Sequence, residues 1–281
     1  MNRKTGTVPA LTIVFAALAW ANGSSADQPI PIFDAHLHYN WEPKPYYSIP
    51  EVIALFRKHN VTGVLANSRP NLGTQALYEA KTAGLWVVPF MRPYTVREDK
   101  GTWFDSKKTT TLLATEFKRG YHQGIGEFHL DGTQANTSVV QRTVDFGVAK
   151  NLYLHAHSDA PAIEALFAKN ARAKVIWAHT GFSLETAVVE RLIKRYPMLW
   201  CELSYRDGIT DFGKLTPEWR RLFETYPDRF LLGSDTWIES RWEGYGEIMA
   251  EYRGWLKQLP ATVAAKMANQ NAQRLFKESQ R

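Results

Sequence analysis

Histidines and acidic residues at the ends of short apolar runs are the side chains of this sequence that are best suited to chemistry. His36 and His38 end the first such run, within the segment Asp34–His38. Because successive side chains on a β-strand alternate between its two faces, these two imidazoles point the same way and could hold one cation. The pair is weak evidence alone, since histidines at a strand end are equally often ordinary polar residues.

Four further candidates come from separate parts of the chain and share one position, the end of an apolar run. They are Glu127, His155, His179 and Asp235. Their separations correspond to one or two strand–helix units of about 30 residues, so the spacing predicts that all of them meet at one rim of a barrel. Imidazole and carboxylate are ligands for zinc and other divalent transition metals. The single cysteine, Cys201, excludes a site built from several thiolates and is expected to be a small core residue.

The apolar runs predict eight strands that alternate with helical segments. The expected strands are Ile30–Ala35, Thr62–Ala66, Leu85–Met91, Gly124–Phe128, Leu152–His155, Lys174–Ala178, Leu199–Leu203 and Phe230–Leu232. Such alternation implies parallel pairing, and residues 27–281 have the length of a single-domain α/β protein of the (β/α)8 (TIM barrel) class, about 250 residues. An open doubly wound sheet is the alternative, but no glycine-rich phosphate loop follows the first run.

Residues 1–26 have the features of a secretory signal peptide. Arg3 and Lys4 precede an apolar stretch from about Val8 to Ala21, and small residues follow up to Ala26. The stretch is shorter than the roughly 20 residues that cross a bilayer, although an uncleaved anchor remains the alternative. We therefore expect a periplasmic or secreted protein with no stable membrane insertion after cleavage.

Charge and composition restrict the partners. The chain is 44% hydrophobic and 22% charged, which excludes a disordered or collagen-like protein. Its net charge is +6 without a cationic run, so nucleic-acid binding is not expected. The sequence leaves the oligomeric state open.

Arginines collect at the predicted rim, where Arg69 and Arg92 follow the second and third strands. Guanidinium groups bind carboxylate or phosphate through paired hydrogen bonds, which predicts a small, anionic substrate. Salt bridges that anchor loops are the alternative. Arg92 is the favoured contact because a residue at the end of a strand is directed inward more rigidly than a loop residue. His157, on the same strand face as the predicted ligand two residues before it, and Trp237, one of several aromatic residues near the rim, are further candidates.

The order of these motifs resembles that of the metal-dependent amidohydrolase superfamily. The matching segments are Asp34–His38, Glu127, His155, His179, Gly233–Asp235 and the ending Asn271–Phe276. The resemblance implies a (β/α)8 barrel that binds one or two divalent metal ions, with zinc as the first expectation. It is strongest for branches with a glutamate on the fourth strand, such as TatD-type nucleases and some phosphotriesterase-like proteins. The amidohydrolase-2 branch, which includes decarboxylases, shares the first histidine pair, His155 and Asp235.

The resemblance also implies a mechanism. In this hypothesis His36, His38 and Asp235 hold one metal, and Glu127 bridges to a second metal held by two further histidines, His155 and His179. A metal-activated water would attack a small ester, lactone, amide or phosphoester, with Asp235 as the catalytic group that transfers the proton. A metal-dependent decarboxylase or other lyase of a small carboxylic acid is the alternative. A non-catalytic binding protein is a third interpretation, which the full ligand set disfavours.

Overall fold

The computed structural model describes residues 1, 29–42 and 44–278. The predicted signal peptide, residues 1–26, lies outside the described residues apart from Met1. Of the helices within the described ranges, none combines the length and the apolar character that a membrane span requires.

Strands and helices alternate along the chain. The strands are β1 Ile32–Leu37, β2 Val61–Ala66, β3 Trp86–Met91, β4 Gly124–Leu130, β5 Tyr153–Ser158, β6 Lys174–Ala178, β7 Leu199–Glu202, β8 Thr210–Asp211, β9 Lys214–Leu215 and β10 Phe230–Leu231. In the described part of the chain, β1 to β7 and then β10 form one eight-stranded parallel sheet, while β8 and β9 form a separate antiparallel hairpin. The predicted (β/α)8 barrel is confirmed.

Helices cover the outside of this sheet. They are α1 Ile49–Lys58, α2 Leu72–Glu79, α3 Lys108–Phe117, α4 Ser138–Ala149, α5 Ala160–Lys169, α6 Thr186–Arg195, α7 Pro217–Thr225, α8 Glu239–Glu243, α9 Tyr245–Leu256, α10 Ala261–Ala265 and α11 Asn271–Glu278. Helix α6 shows why they pack there: its buried residues Val189, Leu192 and Ile193 recur at helical spacing and form one apolar stripe.

β1 and β10 close the barrel through a short contact. Asp34 and Leu232 form a parallel bridge, and the Ala35 amide donates a hydrogen bond to the Leu232 carbonyl at 2.7 Å. By comparison, β5 and β6 pair continuously from Tyr153 to His157 on the β5 side. The closure is therefore shorter than the pairing between β5 and β6.

An aromatic cluster fills the amino-terminal end of the barrel. The Phe276 ring of α11 lies 5.6 Å from Phe33, 5.9 Å from Phe90 and 5.5 Å from Tyr153, measured between ring centroids. The Tyr153 hydroxyl also donates to the Leu275 carbonyl at 3.0 Å. The barrel interior is thus packed at this end, and ligands must enter at the carboxyl ends of the strands, where βα loops meet.

Three strands run further than the sequence predicted. β1 extends to Leu37, β4 to Leu130 and β5 to Ser158. The apolar pattern stops earlier because polar side chains replace apolar ones on the inner face, yet the backbone hydrogen bonds continue. The predicted metal ligands on these strands are therefore held by the sheet itself.

Candidate metal centre

One histidine of β1, the histidine directly after this strand and one loop aspartate form a first group of candidate metal ligands. The Nε2 atoms of His36 and His38 are 3.2 Å apart. Asp235, in the loop after β10, places its Oδ1 2.9 Å from Nε2 of His38 and 3.5 Å from Nε2 of His36. All three side chains are buried. The structure thus brings together the residues that the sequence hypothesis assigned to one metal.

A second group consists of Glu127, His157 and His179. The Glu127 Oε1 atom is 2.9 Å from Nδ1 of His157 and 3.4 Å from Nε2 of His179. The same oxygen lies 3.5 Å from Nε2 of His36, and Oε2 lies 3.3 Å from Nε2 of His38. Glu127 therefore lies between the two groups, where the hypothesis put a bridging ligand.

His155 lies deeper in the barrel than the second group. Its ring centroid is 4.5 Å from that of His36, and it clusters with His36 and Glu202. Within the described residues, neither of its ring nitrogens has a hydrogen-bond partner, and burial lowers its pKa well below the usual range. His155 and His157 share the inner face of β5, and His157 lies nearer the mouth, with its Nδ1 2.9 Å from Glu127 Oε1.

A bulge in β4 directs Glu127 towards the centre. Gly126 pairs with His155 and Phe128 pairs with Ala156, so Glu127 is the extra residue between two paired positions. Gly126 has a φ of +124°, and a β-carbon there would collide with the His155 backbone. Glycine at this position therefore permits the close approach of β4 and β5 on which the direction of the carboxylate depends.

The outer hydrogen bonds of three histidines determine their tautomers. Each Nδ1 faces an oxygen that only accepts: Glu202 Oε2 at 2.8 Å for His36, the Asn67 carbonyl at 3.0 Å for His38, and the Ser204 carbonyl at 2.9 Å for His179. Each Nδ1 therefore donates a proton outwards, and Nε2 is the ring nitrogen that faces the centre. Three inward Nε2 atoms beside two carboxylates form a donor set that fits a divalent cation such as zinc, which would displace the proton that His36 holds without a metal.

The charges of the centre are strongly coupled. Burial opposes protonation of His36, but the carboxylates of Asp235, Glu127 and Glu202 outweigh it and hold its pKa well above the ordinary value. Conversely, the neighbouring histidines outweigh burial and lower the pKa of both Asp235 and Glu127. Both carboxylates are therefore ionised at neutral pH, which is the form that binds a metal.

Glu202 is a functional residue that the sequence reasoning missed. This fully buried carboxylate at the end of β7 accepts hydrogen bonds from His36 Nδ1 at 2.8 Å and from the Ser204 hydroxyl at 2.9 Å. A side chain at Gly233 would collide with Glu202 and with His36, which explains the glycine before Ser234. The sequence feature that could have indicated it is an acidic residue inside the apolar run Leu199–Leu203.

The loop that carries Asp235 is fastened to β1. The Asp34 carboxylate accepts hydrogen bonds from the Ser234 amide at 2.9 Å, the Ser234 hydroxyl at 2.6 Å and the Tyr245 hydroxyl at 3.0 Å. The Asp235 amide donates to the His36 carbonyl at 2.7 Å. Burial raises the pKa of Asp34 to about 6, despite these hydrogen bonds. Asp34 thus positions the loop.

Arg92 lines the mouth, but its guanidinium group is already engaged. Nε donates to Asn67 Oδ1 at 2.9 Å, Nη1 to the Tyr94 hydroxyl at 3.1 Å and Nη2 to Glu127 Oε2 at 2.9 Å. Arg92, the favoured substrate contact in the sequence analysis, therefore holds the Glu127 carboxylate in place.

A cavity of about 310 Å³ opens above the metal-ligating groups. Arg69, His157 and Trp237, the other predicted substrate contacts, all line it. The cavity lining also includes Asn40, Arg97, Lys100, His129, Phe182 and Tyr205. Its volume suits a small molecule.

Comparisons with known proteins agree with this geometry. Residues 125–277, more than half of the chain, match the family model described as amidohydrolase. None of the curated proteins matches the chain significantly.

Three solved structures share the fold. An amidohydrolase from Burkholderia multivorans with bound HEPES has a TM-score of 0.60 and 14% identity. An amidohydrolase from the same species with bound zinc gives 0.59 and 16%, and amidohydrolase 2 from Bifidobacterium longum subsp. infantis gives 0.52 and 14%. Each alignment covers 88% of this chain and 99% of the other. At these identities the likeness establishes the (β/α)8 barrel. With the family match over its carboxyl-terminal half, the chain belongs to the amidohydrolase family, a hydrolase family that uses divalent metal ions.

Proposed function

We propose that the protein hydrolyses a small ester, lactone, amide or phosphoester with the help of two divalent metal ions, zinc in the first instance. The observation that carries this proposal is the set of outward hydrogen bonds that turns Nε2 of His36, His38 and His179 towards two ionised carboxylates. These hydrogen bonds engage the three Nδ1 atoms and leave the three Nε2 atoms as the nitrogens that could bind a metal.

The two groups would hold the two metals. His36, His38 and Asp235 would bind one. His157 and His179, whose Nδ1 and Nε2 atoms are 3.1 Å apart, would bind the other, and Glu127 contacts both groups. His157 thereby replaces His155 in the hypothesis drawn from the sequence. A divalent metal held by these residues would lower the pKa of a bound water molecule and polarise the carbonyl or phosphoryl group of the substrate.

Asp235 is the proposed proton acceptor. The nearby imidazoles of His36 and His38 outweigh burial and keep the carboxylate ionised, and the side chain lines the cavity. The hydrogen bond from its amide to the His36 carbonyl fixes the loop. Asp235 is thus placed to accept the proton of the attacking water and to deliver it to the leaving group.

A metal-dependent decarboxylase is the second candidate function. The cationic lining of the cavity favours it, because Arg69, Arg97 and Lys100 would attract a carboxylic acid. Glu127 favours hydrolysis, because a carboxylate between two ligand groups suits a site with two metals. Metal content of the purified protein separates the functions: about two equivalents support the hydrolase, and about one supports the lyase.

The activity test uses zinc-loaded protein and a panel of chromogenic esters, lactones and phosphoesters. We expect Asp235→Asn to lower turnover by about 10²- to 10⁴-fold, the usual contribution of a proton-transfer group. The control is Asp145→Asn, which removes a carboxylate exposed on α4. Near-full activity in Asp235→Asn would remove this residue from the mechanism.

The cellular setting is part of the proposal. Residues 1–26 would direct export and then be removed, which places the mature enzyme in the periplasm or outside the cell. Its partner would be a small-molecule substrate, because the 310 Å³ cavity is too small for a nucleic-acid chain. Amino-terminal sequencing of protein from the periplasmic fraction tests the cleavage.

A further inference from the structure

Arg69 is a buried cation whose position in the cavity wall is fixed by its backbone. Its amide donates to Asn40 Oδ1 at 2.9 Å, and its carbonyl accepts from the Trp41 amide at 2.9 Å. The residue is only 7% exposed, yet it lines the cavity above the metal-ligating groups. The short segment after β2 therefore holds this guanidinium group in the mouth of the barrel.

The Arg69 side chain has no adequate partner within the described residues. Its Nε is buried without a hydrogen bond, and the nearest carboxylate oxygen, Oε2 of Glu42, is 3.9 Å away. This contrasts with Arg92, in which each of the three guanidinium nitrogens donates a hydrogen bond. The guanidinium group therefore donates no hydrogen bond to the described residues and remains available to an acceptor in the cavity that it lines.

The rest of the cavity has an excess of positive charge. Arg97 and Lys100 line it as well, and neither has an ion pair with any residue that the structure describes. The carboxylates in the lining, Glu127 and Asp235, are both metal-ligating candidates and do not neutralise these cations. Bound metals would increase the excess.

Aromatic side chains form another part of the wall. The cavity lining includes Phe182, Tyr205 and Trp237. The indole Nε1–H of Trp237 donates to the Tyr205 hydroxyl at 3.3 Å, and the Arg97 guanidinium lies 5.5 Å from the Trp237 ring centroid. The site therefore combines an apolar surface for a carbon skeleton with a buried guanidinium group.

We propose that Arg69 binds a carboxylate that the substrate carries in addition to the bond that is cleaved. The substrate class is thus a small ester, lactone or amide of a dicarboxylic acid, held by one carboxylate at Arg69 and cleaved at the other carbonyl. The planar guanidinium group matches a carboxylate through two parallel hydrogen bonds, and Arg97 and Lys100 add attraction. This inference rests on the proposed hydrolytic function, and the carboxylate is retained in the product, unlike in a decarboxylase.

Two matched esters test the proposal with zinc-loaded protein. One is 4-nitrophenyl hydrogen glutarate, which carries a free carboxylate, and the other is 4-nitrophenyl pentanoate, which has the same acyl length without the charge. We expect wild-type protein to prefer the glutarate ester and Arg69→Gln to reduce this preference about 10- to 100-fold, mainly through KM. Arg69→Lys, which keeps the charge without the planar fork, should lie in between. Arg172→Gln, on the exposed loop before β6, controls for net charge.

The outcomes separate this inference from the proposed function. Equal losses on both esters, or an unchanged preference in Arg69→Gln, would overturn the role of Arg69 while hydrolysis itself stands. If wild-type protein cleaves neither ester, calorimetry with glutarate decides: tight binding that Arg69→Gln weakens about tenfold supports the subsite, and equal binding overturns it. Thermal unfolding of each variant confirms that it is folded.

Discussion

The two ends of the barrel interior are both densely packed, but they are packed by opposite chemistry. At the amino-terminal end, Phe276 packs against aromatic side chains of the strands, including Tyr153. At the mouth, imidazoles and carboxylates point at one another. Hydrogen bonds to outer residues orient them, such as the bond from His36 Nδ1 to Glu202. β5 connects the two ends, from Tyr153 through His155 to His157. Stability should therefore depend on the lower end, and metal binding on the mouth.

The largest expected effect is on activity, from His38→Ala at the mouth. The substitution removes His38 Nε2, which lies 2.9 Å from Asp235 and 3.3 Å from Glu127. The metal would therefore lose a nitrogen ligand that lies beside both carboxylates. We expect hydrolysis to fall by more than the roughly 100-fold that loss of an outer partner costs. Elemental analysis and esterase assays measure the effect. A variant that lacks zinc but remains folded by circular dichroism would show that the mouth serves metal binding rather than stability. A variant with full zinc content would contradict this assignment.

Phe276→Ala should have the next largest effect, and on stability. Removing a fully buried phenyl ring leaves a cavity and costs about 3–5 kcal/mol in the free energy of unfolding. Urea denaturation of the metal-free protein measures it. Zinc content per folded molecule should not change. A loss below about 1 kcal/mol would show that the lower end is not the stabilising one.

Glu202→Gln tests the partners behind the centre. The amide keeps the volume and can still accept the proton of His36 Nδ1, but it removes one of the three carboxylate charges, after those of Asp235 and Glu127, that together outweigh burial and raise the pKa of His36. We expect zinc affinity to fall about 10- to 100-fold, as for other outer partners of metal-ligating histidines. Competition with a chromogenic chelator measures the affinity, with Glu251→Gln on the exposed face of α9 as control. Unchanged affinity would mean that the carboxylate is only structural.

The smallest expected effect is that of Tyr153→Phe. It removes the hydroxyl that donates to the Leu275 carbonyl at 3.0 Å and leaves the aromatic packing intact. A loss of about 1 kcal/mol in the free energy of unfolding is expected, the usual contribution of one hydrogen bond. Comparison with Phe276→Ala separates packing from polar contributions at this end. A loss as large as that of Phe276→Ala would contradict the separation.

The sequence predicted the barrel and most of the convergent groups because both follow from periodicity. Apolar runs mark strands, and polar residues at their ends meet at the mouth. The choice between His155 and His157 could not be made this way, because residues two apart share a strand face and differ only in depth. That depth depends on where β5 ends, three residues beyond the predicted end at His155.

The arginines show a second limit of sequence reasoning. Arg69 and Arg92 both follow strands and both line the cavity, so their positions in the sequence do not separate them. They differ in the nearest carboxylate. Glu127 lies 2.9 Å from Arg92 and is brought there only by the folded barrel, whereas Glu42 lies 3.9 Å from Arg69. Glu202 was not predicted for a related reason: only the fold shows that it accepts the hydrogen bond from the outer nitrogen of His36. The signal peptide remains a prediction.

The short closure between β1 and β10 has a consequence for how the enzyme is assembled. His36 and His38 lie at the end of the first strand and directly after it, and Asp235 lies in the loop after the last strand, so the first group of candidate ligands spans the joint where the barrel is closed. An ion coordinated there would cross-link two parts of the polypeptide that are about two hundred positions apart. Removal of the metal by a chelator should then weaken the barrel at this joint first. Metal binding should both stabilise the closed barrel and complete the candidate site.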